Sequence, residues 1–424
     1  MSVVKKCFLV FAVVLSAAKA WGQAAPSPFT TYGIGDPYGN QLIQNQGAGG
    51  IGVSQPQFWN LNNQNPALLV YNTFTVFQVG IIGESRTIKG DTSSEKSTGG
   101  NLNYLVMAFP VKINKWTTSA GLMPYTNVNY NFQYLADIHD QNGGVVGKYQ
   151  AYETGTGGLT QLYWSNGVRI NKQMALGLKA TYLFGPISNV SSNLDPNQGS
   201  YVVNLEEKTN VNGFNFSLGY SFSQDSLGPK HDHRFSAGAV VDLPANLGAK
   251  IQTSIYRTTL ANDTIERYPI TDASGKVRTP PSYTIGVSYG RDLHWYVGTE
   301  FAFQNWSSFR SVNPDDEGLK NSWRASLGGE FTPDPMALES YLKRITFRAG
   351  VSYEQYPYVA VNSQVKDIGI NFGFSLPAGR SSIDLGGKIG KRGNKADNVL
   401  EENYFKIYFG ITFNDQWFIK RKFD

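Results

Sequence analysis

Four short stretches of this chain hold residue types that do chemistry when the surrounding elements position them. Gly47, Gly49 and Gly52 satisfy G-x-G-x-x-G, the spacing that lets a loop cradle a pyrophosphate at a helix start; that use needs a strand before and a crossover unit after, and neither is present. Gly286-Val287-Ser288-Tyr289-Gly290 satisfies G-x-S-x-G. An esterase serine sits on a strand-to-helix elbow, whereas Ser288 lies inside an alternating apolar and polar run that reads as a strand. His231-Asp232-His233 offers competent metal ligands, but in a polar turn beside Pro229-Lys230 with no third or fourth ligand in view. Asp315-Asp316-Glu317 lacks the fuller oxygen set that calcium takes. The chain has four histidines, none with a serine and carboxylate companion set. The expectation is no enzyme, no metal and no cofactor.

The elements that hold these residues explain them better. From about residue 72 to the C-terminus, ten-residue segments of strict alternation recur. In the last, Phe405, Ile407, Phe409, Ile411 and Phe413 share one face while Tyr404, Lys406, Tyr408, Gly410 and Thr412 share the other. Side chains alternate across a strand with period two, and about ten tilted residues cross a bilayer's hydrocarbon core. The spacing predicts fourteen strands: 72–89, 99–112, 116–135, 158–171, 173–189, 211–223, 233–257, 282–290, 294–306, 322–331, 344–354, 366–376, 381–390 and 403–413. Asp242-Leu243-Pro244 is read as a bend within one strand, because bacterial single-chain barrels have even strand counts. The polar face carries Lys179, Glu300, Arg324, Glu330, Arg348, Asp384, Lys388 and Lys406, charges of both signs that suit a lumen where they can pair. The fold class expected is all-β, a transmembrane antiparallel β-barrel. A soluble β-sandwich would also alternate, but it would need neither so many strands nor an export signal.

Lys5 and Lys6 precede the apolar run Cys7–Ala18, the layout of a secretory signal and too short to span a bilayer as a helix. Cleavage fits after Ala20 or after Gly22; the second, starting the mature chain at Gln23, is preferred. The single cysteine, Cys7, leaves with residues 1–22, so no disulfide is available. Loss of Lys5, Lys6 and Lys19 lowers the formal charge from +5 to +2, which offers no nucleic-acid surface. Residues 23–70 are rich in Gly, Asn, Gln and Pro without alternation. They read as a hatch inside the lumen, where irregular backbone is tolerated, and 71–424 as the barrel. Longer polar stretches at 90–98, 136–157, 190–210, 258–281, 307–321, 355–365 and 391–402 read as external loops, with turns such as Asn114-Lys115 and Asn171-Lys172 between them and a longer one at 332–343.

Several motifs in order carry a family resemblance: Tyr32-Gly33-Ile34-Gly35, Gly47 to Val53, Asn65-Pro66-Ala67-Leu68 just before the first strand, Gln304 to Phe309, Trp323-Arg324, Arg348 to Tyr353 and the ending Phe413 to Arg421. Across nearly the whole mature chain the sequence resembles the FadL-type outer-membrane hydrophobe transporters, in a branch like those of the Bacteroidota. The resemblance implies a fourteen-strand barrel in a Gram-negative outer membrane, a hatch ending near Asn65, Pro66 and Ala67, and passive uptake of hydrophobic molecules such as long-chain fatty acids. It also implies an inward kink in the third strand that opens sideways into the membrane. Here Gly121 and Pro124 interrupt that strand, as either that kink or an ordinary bulge. Phe29, Phe58, Trp59 and Leu61 from the hatch, with Met123 and Tyr125 at the interruption, are candidate linings of an apolar pocket. Expected partners are a hydrophobic small molecule, detergent or lipid, and the membrane itself. The alternative function is a non-transporting accessory subunit of an outer-membrane secretion or barrel-assembly complex, which would add other outer-membrane proteins as partners. Intact-mass or N-terminal analysis of protein from the outer-membrane fraction should give Gln23 as first residue; recovery of the chain as a soluble periplasmic protein would end the barrel reading.

Overall fold

The computed structural model describes residues 23–90, 93–139, 142–194, 201–261, 263–312, 318–361 and 363–415; the signal, Asp315-Asp316-Glu317 and the last residues of the C-terminal motif lie outside them. The hatch holds a 3-10 turn at Pro28–Thr31, β1 (Asp36–Pro37), a short helix at Ile43–Gly47 and a 3-10 helix at Pro66–Tyr71. The wall follows as β2 (Thr75–Lys89), β3 (Ser94–Lys112), β4 (Trp116–Pro124), β5 (Thr126–His139), β6 (Val145–Gly157), β7 (Thr160–Arg169), β8 (Met174–Leu194), β9 (Tyr201–Leu227) and β10 (His233–Asp242). It continues through β11 (Ala245–Thr259), β12 (Thr264–Thr279), β13 (Ser282–Arg291), β14 (Trp295–Gln304), β15 (Ser322–Phe331), β16 (Thr346–Ala360), β17 (Ser363–Ala378), β18 (Ser381–Arg392) and β19 (Glu401–Asp415).

These make a closed barrel of fourteen antiparallel staves, because four staves are each built of two strands. β10 and β11 both pair with β9 and are one stave bent at Leu243-Pro244. β12 and β13 form the next stave, β4 and β5 the third, and β7 and β6 the fourth. Closure runs from Glu401 opposite Lys89 to Asp415 opposite Thr75, which leaves no sheet edge where the ends of the wall meet. The period-two reading holds on β19: Phe405, Ile407 and Phe413 are exposed toward lipid, while Tyr404, Tyr408 and Thr412 are buried.

Much of 136–157, 190–210 and 258–281, expected as loop, is strand. β5 with β6, β8 with β9, and β11 with β12 extend as long hairpins on one side. Their exposed faces alternate less cleanly because water, not lipid, surrounds them, and the sequence pattern fades accordingly. The other end carries the short turns and corresponds to the periplasmic side. A charge at the bilayer midplane of a barrel wall costs roughly 2–4 kcal/mol. Ile407→Arg should therefore lower the folded, heat-modifiable fraction on gels by far more than Lys406→Gln on the lumen face; equal losses would show that the faces are assigned wrongly.

Candidate functional site

The hatch lies against the inner wall, and at one level around the barrel the wall presents glycine to it, to hatch backbone on some staves and to the side chains of Ile43, Ile51 and Ser54 on others. Around the barrel the contacts are Gly80, Gly410 and Gly386 with Ile43, Gly373 with Gly47, Gly350 with Gly49, and Gly328 with Ala48. They continue as Gly298 with Ile51, Gly286 with Ser54, Gly238 with Val53, Gly219 with Asn65 and Pro66, and Gly177 and Gly167 with Pro66. Many of these glycines are direct cross-strand partners, such as Gly80 and Gly410, Gly298 and Gly328, Gly328 and Gly350, Gly238 and Gly286, and Gly177 and Gly219. A Cβ at Gly328, Gly350 or Gly238 would run into hatch backbone, so only glycine permits this approach. At this level every stave except β3 and the β4–β5 stave presents a glycine, and on β3 Gly99, farther toward the long hairpins, meets the backbone of Ala24 and Ala25.

Polar groups fasten the hatch at the same level. The Asn65 side chain, fully buried, accepts from Ala67 N at 3.0 Å and donates to Val53 O at 2.8 Å and to Tyr220 O of β9 at 2.9 Å. It caps the Pro66–Tyr71 3-10 helix, whose first residue, proline, needs no N–H partner. Glu300 Oε2 accepts from Gly52 N at 2.9 Å and Val53 N at 3.0 Å, and Glu300 Oε1 from Arg324 at 2.8 Å. Gln44 donates to Asp384 at 3.0 Å, and Asp36 pairs with Arg392 at 2.8 Å. Between these anchors Leu42, Ile43, Leu61 and Leu69 pack with Tyr104, Val106, Met123, Tyr163 and Tyr408. Each such buried apolar side chain contributes roughly 1.5–3 kcal/mol. Burial also pushes the Tyr38 phenol up, so it stays a neutral group in the lumen.

The third stave breaks at Tyr125, directly after Pro124. The neighbouring staves bend at the same level, through Gly157 (φ +112°), Gly158 (φ +127°) and Gly185 (φ +157°), conformations that side-chain-bearing residues rarely adopt. β4 pairs with β3 over Leu105–Lys112, but β5 leaves β3 and pairs with β6. Among the described residues, Ser94–Asn103 of β3 has ladder pairing only to β2. The first part of the hatch, from Gln23 on, lies in the resulting gap. Gly100 N of β3 donates to Gln23 O at 2.9 Å, Ser27 N donates to Asn129 O of β5 at 2.8 Å, and Asn129 N donates to Thr30 Oγ1 at 3.1 Å. β1 then pairs with β5 through Asp36 and Asn127. Ser27 also donates to Glu402 at 2.5 Å. Gly121 itself stays within the ladder, opposite Val106 and Tyr163.

The six candidate pocket residues do not share one space. Phe29 is buried against Tyr358, 5.8 Å between ring centres, toward the long hairpins. Leu61 and Met123 belong to the cluster under the hatch helix, and Tyr125 packs beside Val128 and Leu247. Phe58 and Trp59 line a cavity of about 380 Å³ at the short-turn end, together with Arg234, Arg291, Arg344, Arg348 and Arg380. A second cavity of about 110 Å³, on the other side of the hatch, is lined by Asp36, Glu84, Arg86, Lys388 and Lys406. Charges of both signs pair across the lumen: Arg86 with Glu402 at 2.6 Å and with Glu84, Lys388 with Asp367 at 3.0 Å, Arg348 with Glu330 at 3.0 Å. Ser288 donates to Ser54 O at 2.9 Å, which makes it a hatch contact. His233 stacks on Tyr289 at 5.5 Å, and among the described residues no group of three or more metal-ligating side chains forms. The glycine belt is what sequence reading missed: its signal is glycine at one lumen-facing position in strand after strand.

The arrangement defines a plugged outer-membrane-type barrel. Its backbone superimposes on the CymD monoaromatic hydrocarbon channel (14% identity over 88% of this chain and 97% of that one, TM-score 0.53) and on the Ralstonia pickettii toluene transporter TbuX (14%, 88% and 98%, 0.53). A Pseudomonas aeruginosa FadL homologue is similar at 13% identity, covering 89% and 99%, with a TM-score of 0.56. At such identities the likeness is one of fold. The BamG family pattern matches residues 3–424, and the chain belongs to the BamG family. No curated protein sequence matches it.

The belt makes a sharp forecast. Gly328→Val or Gly350→Val should leave the barrel folded yet expose residues 45–62 to protease in the purified protein. Gly83→Val, where nothing lies within 4 Å of the new Cβ, should leave the hatch protected; protection in all three would show that the contact does not seat it.

Proposed function

We propose that this barrel is a non-transporting accessory subunit of an outer-membrane secretion or barrel-assembly complex in a Gram-negative bacterium, its wall acting as a rigid platform. The observation that carries this is the seat of the hatch. Thirteen of the fourteen staves meet it through glycine, and Glu300, Asp384, Arg392 and the Tyr220 carbonyl hold it from several sides. Freeing it would break the buried Asp36–Arg392 ion pair, at a cost of roughly 3–5 kcal/mol, and take hatch donors from Glu300 and Asp384. The smaller space on the long-hairpin side of the hatch is lined mostly by charged and polar groups, where a hydrophobe gains little burial, and the larger one at the short turns carries five arginines beside its apolar faces. Membership of the BamG family, as distinct from sequence kinship with hydrocarbon channels, supports the same reading.

A second reading keeps one specific observation in its favour. The break after Pro124 parts β3 from β5, and the structures of similar fold include a monoaromatic hydrocarbon channel and a toluene transporter. On that reading hydrophobic molecules, long-chain fatty acids among them, pass through the parted wall once the N-terminal segment withdraws. The two are separated by purifying the protein in mild detergent and reconstituting it in liposomes. The accessory role predicts a stoichiometric protein partner and no hydrophobic-probe uptake above protein-free vesicles. Saturable uptake, abolished when Gln23–Tyr38 is tethered to β3, would overturn it in favour of transport.

A further inference from the structure

The cavity at the short-turn end has a chemistry that the platform role does not use. We propose that it binds a small carboxylate carrying an amide N–H and an apolar body, the chemistry shared by an N-acylated amino acid and the end of a polypeptide.

Three independent features of its lining carry this. Of its five arginines, Arg234 is held by Asp225 and by Asp292 at 2.9 Å, Arg291 by Asp232 at 2.9 Å and Arg348 by Glu330 at 3.0 Å. Arg344 and Arg380 have no acidic partner among the described residues, and Arg344 Nε is buried without an acceptor. A guanidinium in that condition is completed by a carboxylate, which it grips in a planar fork. Secondly, Gln57 Oε1 and Asn414 Oδ1, which line the same cavity, are buried without a donor. Buried acceptors of this kind are otherwise nearly always satisfied, and an amide N–H is the group that fits them beside an anion. Thirdly, Phe58 and Trp59 of the hatch supply aromatic faces for an apolar body. At about 380 Å³ the space lies at the small end of the roughly 300–1,000 Å³ typical of ligand pockets. The inference does not depend on the platform reading, since either function leaves this end of the barrel as described.

The test titrates full-length protein in detergent by calorimetry and by the fluorescence of Trp59. N-acetylphenylalanine should bind at least tenfold more tightly than its uncharged amide, N-acetylphenylalaninamide, and more tightly than 3-phenylpropionate, which lacks the amide N–H. Arg344→Gln and Arg380→Gln should each weaken it at least fivefold, while Lys391→Gln at the far end leaves it unchanged. Arg380 is exposed, so its variant keeps the test valid should Arg344→Gln fold poorly. A longer acetylated peptide ending in phenylalanine that binds tighter than the single residue identifies a polypeptide end as the source; equal affinity identifies the free N-acyl amino acid. Equal binding of acid and amide, no binding by any probe at millimolar concentration, or no effect of either arginine variant overturns the proposal.

Discussion

A wall standing in hydrocarbon must satisfy its backbone from within, because no water is there to do it. Every other feature of this molecule answers to that constraint. It demands closure of β19 on β2, and it makes the break after Pro124 a problem to be solved locally. Where β5 turns away from β3, the chain supplies replacement partners from its own N-terminal segment: Gln23 takes the Gly100 N–H and Ser27 reaches the Asn129 carbonyl. The segment is thus part of the wall's hydrogen bonding although it belongs to the hatch in sequence.

The same constraint shapes the hatch. Irregular backbone can sit at membrane depth only if wall or water meets it, and this hatch has chosen the wall. At one level close approach of hatch to wall leaves little room even for a methyl group, hence the recurrence of glycine across twelve staves. The two staves outside that belt are the ones that part at the third-strand break, where Gln23–Tyr38 takes over. Belt and N-terminal segment together complete the circuit. The charges then do a second job: Glu300 accepts two hatch N–H groups while paired with Arg324, so the hatch and the lumen electrostatics cannot be disturbed separately.

Much of this was legible in the residues. Alternation located all fourteen staves, because lipid on one side and a polar lumen on the other write a two-residue period into each. Holding 233–257 together across Pro244 gave the even count, and the break beside Pro124 could be anticipated from a missing N–H. Two things were not legible. The long hairpins stand in water on both faces and so carry no period. The candidate pocket failed to assemble because apolar residues close in sequence, such as Leu61 and Trp59, are sent to opposite faces of the hatch, one into the Leu42 and Ile43 cluster and one to the short-turn cavity. That division is decided by hatch backbone geometry, which has no periodic signature.

A channel for hydrophobes needs a continuous apolar path, and the path here is interrupted by charge on both sides of the hatch. Towards the long hairpins stands the network of Arg86, Glu84, Glu402, Arg392 and Asp36; towards the short turns stand Arg348, Glu330 and the unpaired Arg344. An apolar solute entering the space toward the long hairpins would displace water from ionised groups without giving them partners, which opposes its own burial. The fold of a hydrophobe channel is therefore retained around an interior in which paired charges stand on both sides of the hatch.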